Sequence, residues 1–167
     1  MRGFTVRIVG LALAVVGLVA VAAADSKLPD SIQDELRKAA YVYISSTRKD
    51  GSLGKPSEIW FLYEQGAVYV GTRPASWRVK RIKAGRPQAK IWVGKANGPS
   101  MFNATAEALK GLPSFEATGS VVDDPKLHEA MLQAYAKKYP EGWPKHEEGF
   151  RTGFKDGSRV LVKYVPK

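Results

Sequence analysis

The pattern of apolar and polar positions changes period several times along the chain, and each change marks an element. Ile32, Leu36 and Ala39/Ala40 recur at helical spacing after Pro29-Asp30-Ser31. This predicts a short amphipathic helix within Leu28–Ala40, with an N-cap and with Asp34 and Glu35 in its first turn. Tyr41–Thr47 is β-branched and aromatic and predicts a strand, followed by the turn signal Lys49-Asp50-Gly51-Ser52. Ser57–Tyr63 predicts a second strand, and Glu64-Gln65-Gly66 turns the chain into a third, Ala67–Gly71. Connections of hairpin length predict that these three run as a meander.

The period then switches. Val79 and Ile82 lie three apart in Ser76–Ala84, with Ser76 as N-cap and Gly85 and Pro87 as the stop, which predicts a second helix. Gln88–Val93 and Ser114–Val122 predict the fourth and fifth strands. Between them, Lys95–Pro113 predicts an extended loop. Asp124-Pro125 is a helix start, and Leu127, Met131, Leu132 and Tyr135 share one face of a helix Pro125–Tyr139. Glu141–Thr152 predicts a loop with a short helix, and Val160–Val165 a final strand after Asp156-Gly157. Six strands with few, short helices predict a mainly β fold, a small antiparallel barrel forming one domain over residues 25–167.

The residues before Asp25 follow a different rule. Met1–Arg7 carries Arg2 and Arg7 and no acid, Ile8–Ala24 has no charge at all, and Ala22-Ala23-Ala24 closes it. That order predicts a signal peptide over residues 1–24, cleaved after Ala24, and a periplasmic or secreted protein. The alternative is an uncleaved anchor, in which case the protein meets a membrane through that segment. No Arg-Arg pair is present, so a twin-arginine signal is not indicated.

Composition narrows the chemistry. The 167 residues contain no cysteine, which excludes disulfides, thiolate catalysis and thiolate-bound metals. The two histidines, His128 and His146, leave little for a histidine-based metal site. The formal charge is +10, from 26 Lys and Arg against 16 Asp and Glu, so an anionic ligand is expected. No Ser-His-Asp or paired-carboxylate arrangement stands out. Asp123-Asp124 reads as a turn and helix cap, and neither histidine is assigned a catalytic role.

The charge is concentrated. Arg73, Arg78, Lys80, Arg81, Lys83, Arg86, Lys90 and Lys95 fall in a window with no acid between Glu64 and Glu107. Its densest part runs from a strand end, Gly71-Thr72, through Arg73 to Ser76 at a helix start, then Arg78 and Lys80. Hydroxyls and guanidinium groups beside unpaired helix N–H groups suit a phosphate. The competing readings are a solvated basic face and a nucleic-acid patch; export argues against nucleic acid. Trp60 and Phe61 alternate across the second strand, so either core packing or contact with a flat heteroaromatic ligand is open to them.

The ordered set of motifs resembles the pyridoxamine 5′-phosphate oxidase-like family of flavin-binding split barrels. It comprises Tyr43-Ile44-Ser45-Ser46-Thr47-Arg48-Lys49-Asp50-Gly51, Pro56 leading into Ile59-Trp60-Phe61-Leu62, Val68-Tyr69-Val70-Gly71-Thr72 and Ser76-Trp77-Arg78-Val79-Lys80-Arg81-Ile82. Arg86-Pro87-Gln88-Ala89-Lys90-Ile91-Trp92-Val93, Gly119–Pro125 and Lys138-Tyr139-Pro140 complete it. The resemblance implies a six-stranded antiparallel split β-barrel. It further implies a homodimer with FMN, or a deazaflavin coenzyme, at the subunit interface and oxidoreductase activity on a small-molecule substrate. It places the flavin phosphate on Thr72, Ser76 and Arg78, with Arg73 and Lys80 beside them, and the ring along Ile59, Trp60 and Phe61. Pro56 and Phe61 stand where the oxidase itself has Arg and Lys, and Trp77-Arg78 where it has Arg-Lys, so the resemblance does not extend to pyridoxamine phosphate oxidation. The alternative on the same barrel is a non-enzymatic binding protein for an anionic cofactor or haem.

Overall fold

The computed structural model describes residues 28–96, 104–105 and 107–167. Helix α1 (Asp30–Lys38) leads into β1 (Val42–Ser46), β2 (Ser57–Ile59), β3 (Leu62–Glu64) and β4 (Ala67–Thr72). Helix α2 (Trp77–Lys83), β5 (Gln88–Val93), β6 (Ser114–Val122) and α3 (Pro125–Lys138) follow. A 3-10 turn (Trp143–Lys145), α4 (Glu147–Asp156) and β7 (Val160–Pro166) complete the chain. The expected leader, residues 1–24, lies outside the described residues, as does part of the Lys95–Pro113 loop.

All strand pairs are antiparallel, in the order β2-β1-β5-β6-β7-β4-β3. The two outermost strands, β2 and β3, are consecutive in the chain and separated only by Trp60 and Phe61. The chain therefore passes from one edge of the curled sheet to the other within two residues. This gives seven strands where six were expected, because the predicted second strand is interrupted. Nothing local marks the interruption; it is held by a distant side chain. The Tyr139 hydroxyl accepts from the Phe61 N–H at 2.9 Å and has the carbonyl oxygens of Phe61 and Ala40 at 2.8 and 3.0 Å. Those backbone groups have left the ladder, and burial without a partner would cost on the order of 1–3 kcal/mol each.

The strand β4 is buried along its whole length. Val68 and Val70 face the barrel interior with Val42, Ile44, Ile91 and Val162. Ala67 and Tyr69 face the other way, into a second cluster with Met131, Leu132, Tyr135, Trp143 and Phe150. Thus α3 and α4 cover the outer face of β4 and β7, while α2 lies against the barrel near β1 and β6. By contrast β6 alternates, with Phe115 and Ala117 buried and Glu116 and Thr118 exposed, as expected of a sheet wetted on one face.

Several ends differ from expectation. The N-cap position of α1 is Pro29, and no side chain caps it. Asp124 caps α3 as expected, accepting from the N–H groups of Lys126 and Leu127. The region expected to be mostly loop after Glu141 holds the ten-residue α4. Gly149 and Gly153 weaken its intrinsic propensity, but Phe150 and Phe154, four apart, pack their shared face on the second cluster.

Candidate functional site

A cleft opens where β4 ends and α2 begins. One part, about 740 Å³, is lined by Ile59 and Trp60 from the strand crossing, by Gly71, Thr72, Arg73 and Ser76 from the β4–α2 turn, and by His146, Phe150 and Arg159 from the C-terminal elements. A second part, about 640 Å³, shares Ile59, Thr72 and Ser76 and adds Ser46, Ser57, Trp77, Arg78 and Arg81. Both volumes fall in the range of roughly 300–1,000 Å³ common to cofactor and substrate sites.

Thr72 and Ser76 stand at the junction of the two parts. Ser76 occupies the N-cap position of α2, yet its side chain makes no capping hydrogen bond, and its buried Oγ has no partner among the described residues. Arg78 is only 8% exposed. Its Nη2 donates to Ser57 Oγ, while its buried Nη1 has no partner among the described residues. Among the described residues Arg78 forms no ion pair. Burial pushes its pKa below the ordinary guanidinium value, although the group remains charged at any physiological pH. An unpaired buried guanidinium is among the most costly groups a fold can hold. A bound anion would offset that cost, and it would satisfy Arg78 Nη1 and Ser76 Oγ together.

The other wall comes from the C-terminus. The Arg159 guanidinium lies 3.6 Å from the centre of the Phe150 ring, and its buried Nε has no partner. Burial lowers its pKa; Tyr135 partly opposes this, and the nearby Arg73 adds to it. Among the described residues no acid lines the larger part of the cleft. The smaller part has Glu58, whose carboxylate accepts from the Tyr43 hydroxyl. The apolar wall is Ile59, Trp60 and Phe150. Trp60 stacks on Tyr139 at 4.6 Å and meets His146 edge-on at 5.2 Å. Gly71 keeps the floor low: a Cβ there would lie 2.6 Å from Phe150 Cε1.

Of the residues singled out in the sequence, Ile59, Trp60, Gly71, Thr72, Arg73 and Ser76 meet in the larger part, and Arg78 lines the smaller. Phe61 and Lys80 line neither. The Phe61 side chain is fully buried in the barrel core. Lys80 is exposed and lies 5.2 Å from the centre of the Trp77 ring. His146, which the sequence gives no catalytic role, also lines the larger part, as do Phe150 and Arg159, which no local pattern singles out because they sit some seventy to ninety residues beyond the β4–α2 turn. The remaining sequence signal for Arg159 is a cation placed directly before a wholly apolar strand start, Val160-Leu161-Val162.

Comparison with known proteins bears on the fold. No protein-family model matches the chain, and no curated protein matches it in sequence. Solved structures do match. HutZ, the haem storage protein of Vibrio cholerae, aligns over 84% of this chain and 91% of its own, with a TM-score of 0.57 and 15% identity. A Listeria innocua protein assigned as a pyridoxamine 5′-phosphate oxidase aligns over 83% of this chain and 92% of its own, with a TM-score of 0.54 and 16% identity. An F420 reductase aligns over 84% of this chain and 96% of its own, with a TM-score of 0.51 and 16% identity. At such identities the likeness is one of fold.

Proposed function

Starting from the split barrel that this chain shares with pyridoxamine 5′-phosphate oxidase-like proteins, we propose that it binds a phosphate-bearing flavin, FMN, and acts as an oxidoreductase on a small molecule. The observation that carries this reading is the buried Arg78 with its unpartnered Nη1 beside the unpartnered Ser76 Oγ. The residues present fit the group. Ser76, Thr72 and Arg78 would take the phosphate, with Arg73 and Arg159 adding positive potential from the larger part of the cleft. Ile59 and Trp60 would pack against the ring.

When bound, a flavin supplies two-electron redox chemistry. The chain's own residues bind and orient. Charge-assisted hydrogen bonds from guanidinium and hydroxyl groups fix a phosphate in position. Trp60, held by its stack on Tyr139, presents a rigid face. The acid-free larger part of the cleft favours any anion that develops there. A deazaflavin coenzyme, which also carries phosphate, would use the same anchors. Export with loss of residues 1–24, and assembly as a homodimer around the cleft, belong to the same proposal. N-terminal sequencing and light scattering of the native protein test them.

One observation favours a second reading. His146 lines the cleft, and its imidazole would be the group to hold a haem iron there. In that case Arg73 and Arg159 would meet the propionates, and the protein would hold haem without turnover. Protein isolated from its native compartment decides between them by its absorption spectrum: a flavin spectrum supports the first reading, and a Soret band overturns it in favour of the second.

A further inference from the structure

On the far side of the strand crossing lies a separate cavity of about 340 Å³, walled by Leu36, Leu62 and Ala134. Lys138 contributes an amine to it. The Nζ atom lies 3.4 Å from the centre of the Phe61 ring and 3.5 Å from the Leu36 carbonyl oxygen. Among the described residues, no carboxylate pairs with it. The charged and titratable groups around the amine are Arg37 on α1, Tyr63 and Glu64 on β3, Lys137 on α3 and Tyr139 directly after it. Arg37 is itself bonded to Asp34 at 2.7 Å. Burial pushes the Lys138 pKa down to about 8, and Glu64 only partly opposes this. A substantial share of the amine is therefore neutral and nucleophilic in mildly alkaline solution.

We propose that Lys138 is an imine-forming lysine, and that its cavity takes a small aldehyde carrying an anionic group. The neutral amine adds to the carbonyl carbon, and loss of the oxygen as water leaves a carbon–nitrogen double bond to Nζ, with no net oxidation or reduction. Leu36, Leu62 and Ala134 receive the carbon skeleton, while Lys137, which pairs with no carboxylate among the described residues, attracts the anionic group at the same cavity. The site is independent of the flavin reading, since it shares no lining residue with the cleft.

The test is reductive trapping on the whole protein, using glyoxylate with cyanoborohydride near pH 8 and locating the modified lysines by peptide mass spectrometry. Lys138 is expected to react at least about tenfold faster than the exposed Lys126 and Lys155, because a desolvated amine with a lowered pKa is the activated nucleophile. Glyoxylate is expected to outcompete acetaldehyde there, and a Lys138→Arg protein is expected to lose the fast-reacting site. Labelling of Lys138 no faster than Lys126 would overturn the imine site, and equal reaction with acetaldehyde and glyoxylate would overturn the anionic class of ligand.

Discussion

Trp60 lies flat against Tyr139, with ring centroids 4.6 Å apart and planes 10° from parallel. The same tyrosine hydroxyl ties the backbone of Phe61 and reaches the carbonyl of Ala40. One side chain from the end of α3 thus holds both the point where the chain crosses the sheet and the aromatic wall of the cleft. The ring and the hydroxyl do separable work.

Changing Tyr139 to Phe keeps the stack and removes the hydroxyl. The Phe61 N–H and carbonyl lose the hydroxyl that now satisfies them, so we expect a loss of about 2 kcal/mol in urea unfolding. Trp60→Ala removes the stack without freeing a backbone group. It should cost less stability but weaken flavin binding more than Tyr139→Phe does. The reverse order would mean that the ring of Trp60 is not a wall of the ligand site.

Arg78→Met should separate stability from binding. It removes a buried unpaired charge, so the ligand-free protein should gain on the order of 1–2 kcal/mol. The same change should abolish tight FMN binding. Lys83→Ala, an exposed change on the same helix, should alter neither by much. Thermal melts with and without FMN read both effects.

Gly71→Ala tests the floor of the cleft. A methyl group there meets Phe150 at 2.6 Å and must displace a ring packed between Arg159 and the second core cluster. Overpacking of this kind typically costs about 1–3 kcal/mol. Ligand affinity should fall with stability, read by calorimetry and urea unfolding on the same sample.

Lys138 also gives a pH signature. Its folded pKa, about 8, lies below the unfolded value near 10.5. Between those values the unfolded chain binds more protons, so this group makes stability rise with pH across the window and costs most below it. Lys138→Met should flatten that rise and stabilise the protein at neutral pH by about 1 kcal/mol, a figure reduced for the solvent that reaches the amine. Tyr135 and Tyr139, whose pKa values burial pushes up, act in the opposite sense above pH 10 and are common to both proteins.

Much of this architecture is legible in the sequence because its signals are local. β5 and β6 run from Gln88 to Val93 and from Ser114 to Val122, the bounds that their β-branched and aromatic runs predict. Asp124-Pro125 starts α3 because capping needs only neighbours. The missed features are long-range. The break at Trp60-Phe61 is set by Tyr139, seventy-eight positions beyond Phe61, and no local breaker announces it. Phe150 and Arg159 join the cleft only when α4 folds over β4. Lys80, in a run of cations, cannot be told from Arg78 by composition; the structure separates them by burial, with one guanidinium inside and the ammonium outside on Trp77.

Titrating the protein with FMN and with riboflavin, which lacks the phosphate, reads whether a phosphate group meets Ser76 and Arg78. We expect FMN to bind at least about a hundredfold more tightly, since charge-assisted hydrogen bonds of roughly 1.5–3 kcal/mol each depend on that group. In Arg78→Met the preference should collapse. Equal affinities for the two flavins in the unaltered protein, or an FMN preference that survives loss of Arg78, would mean that no phosphate is held there.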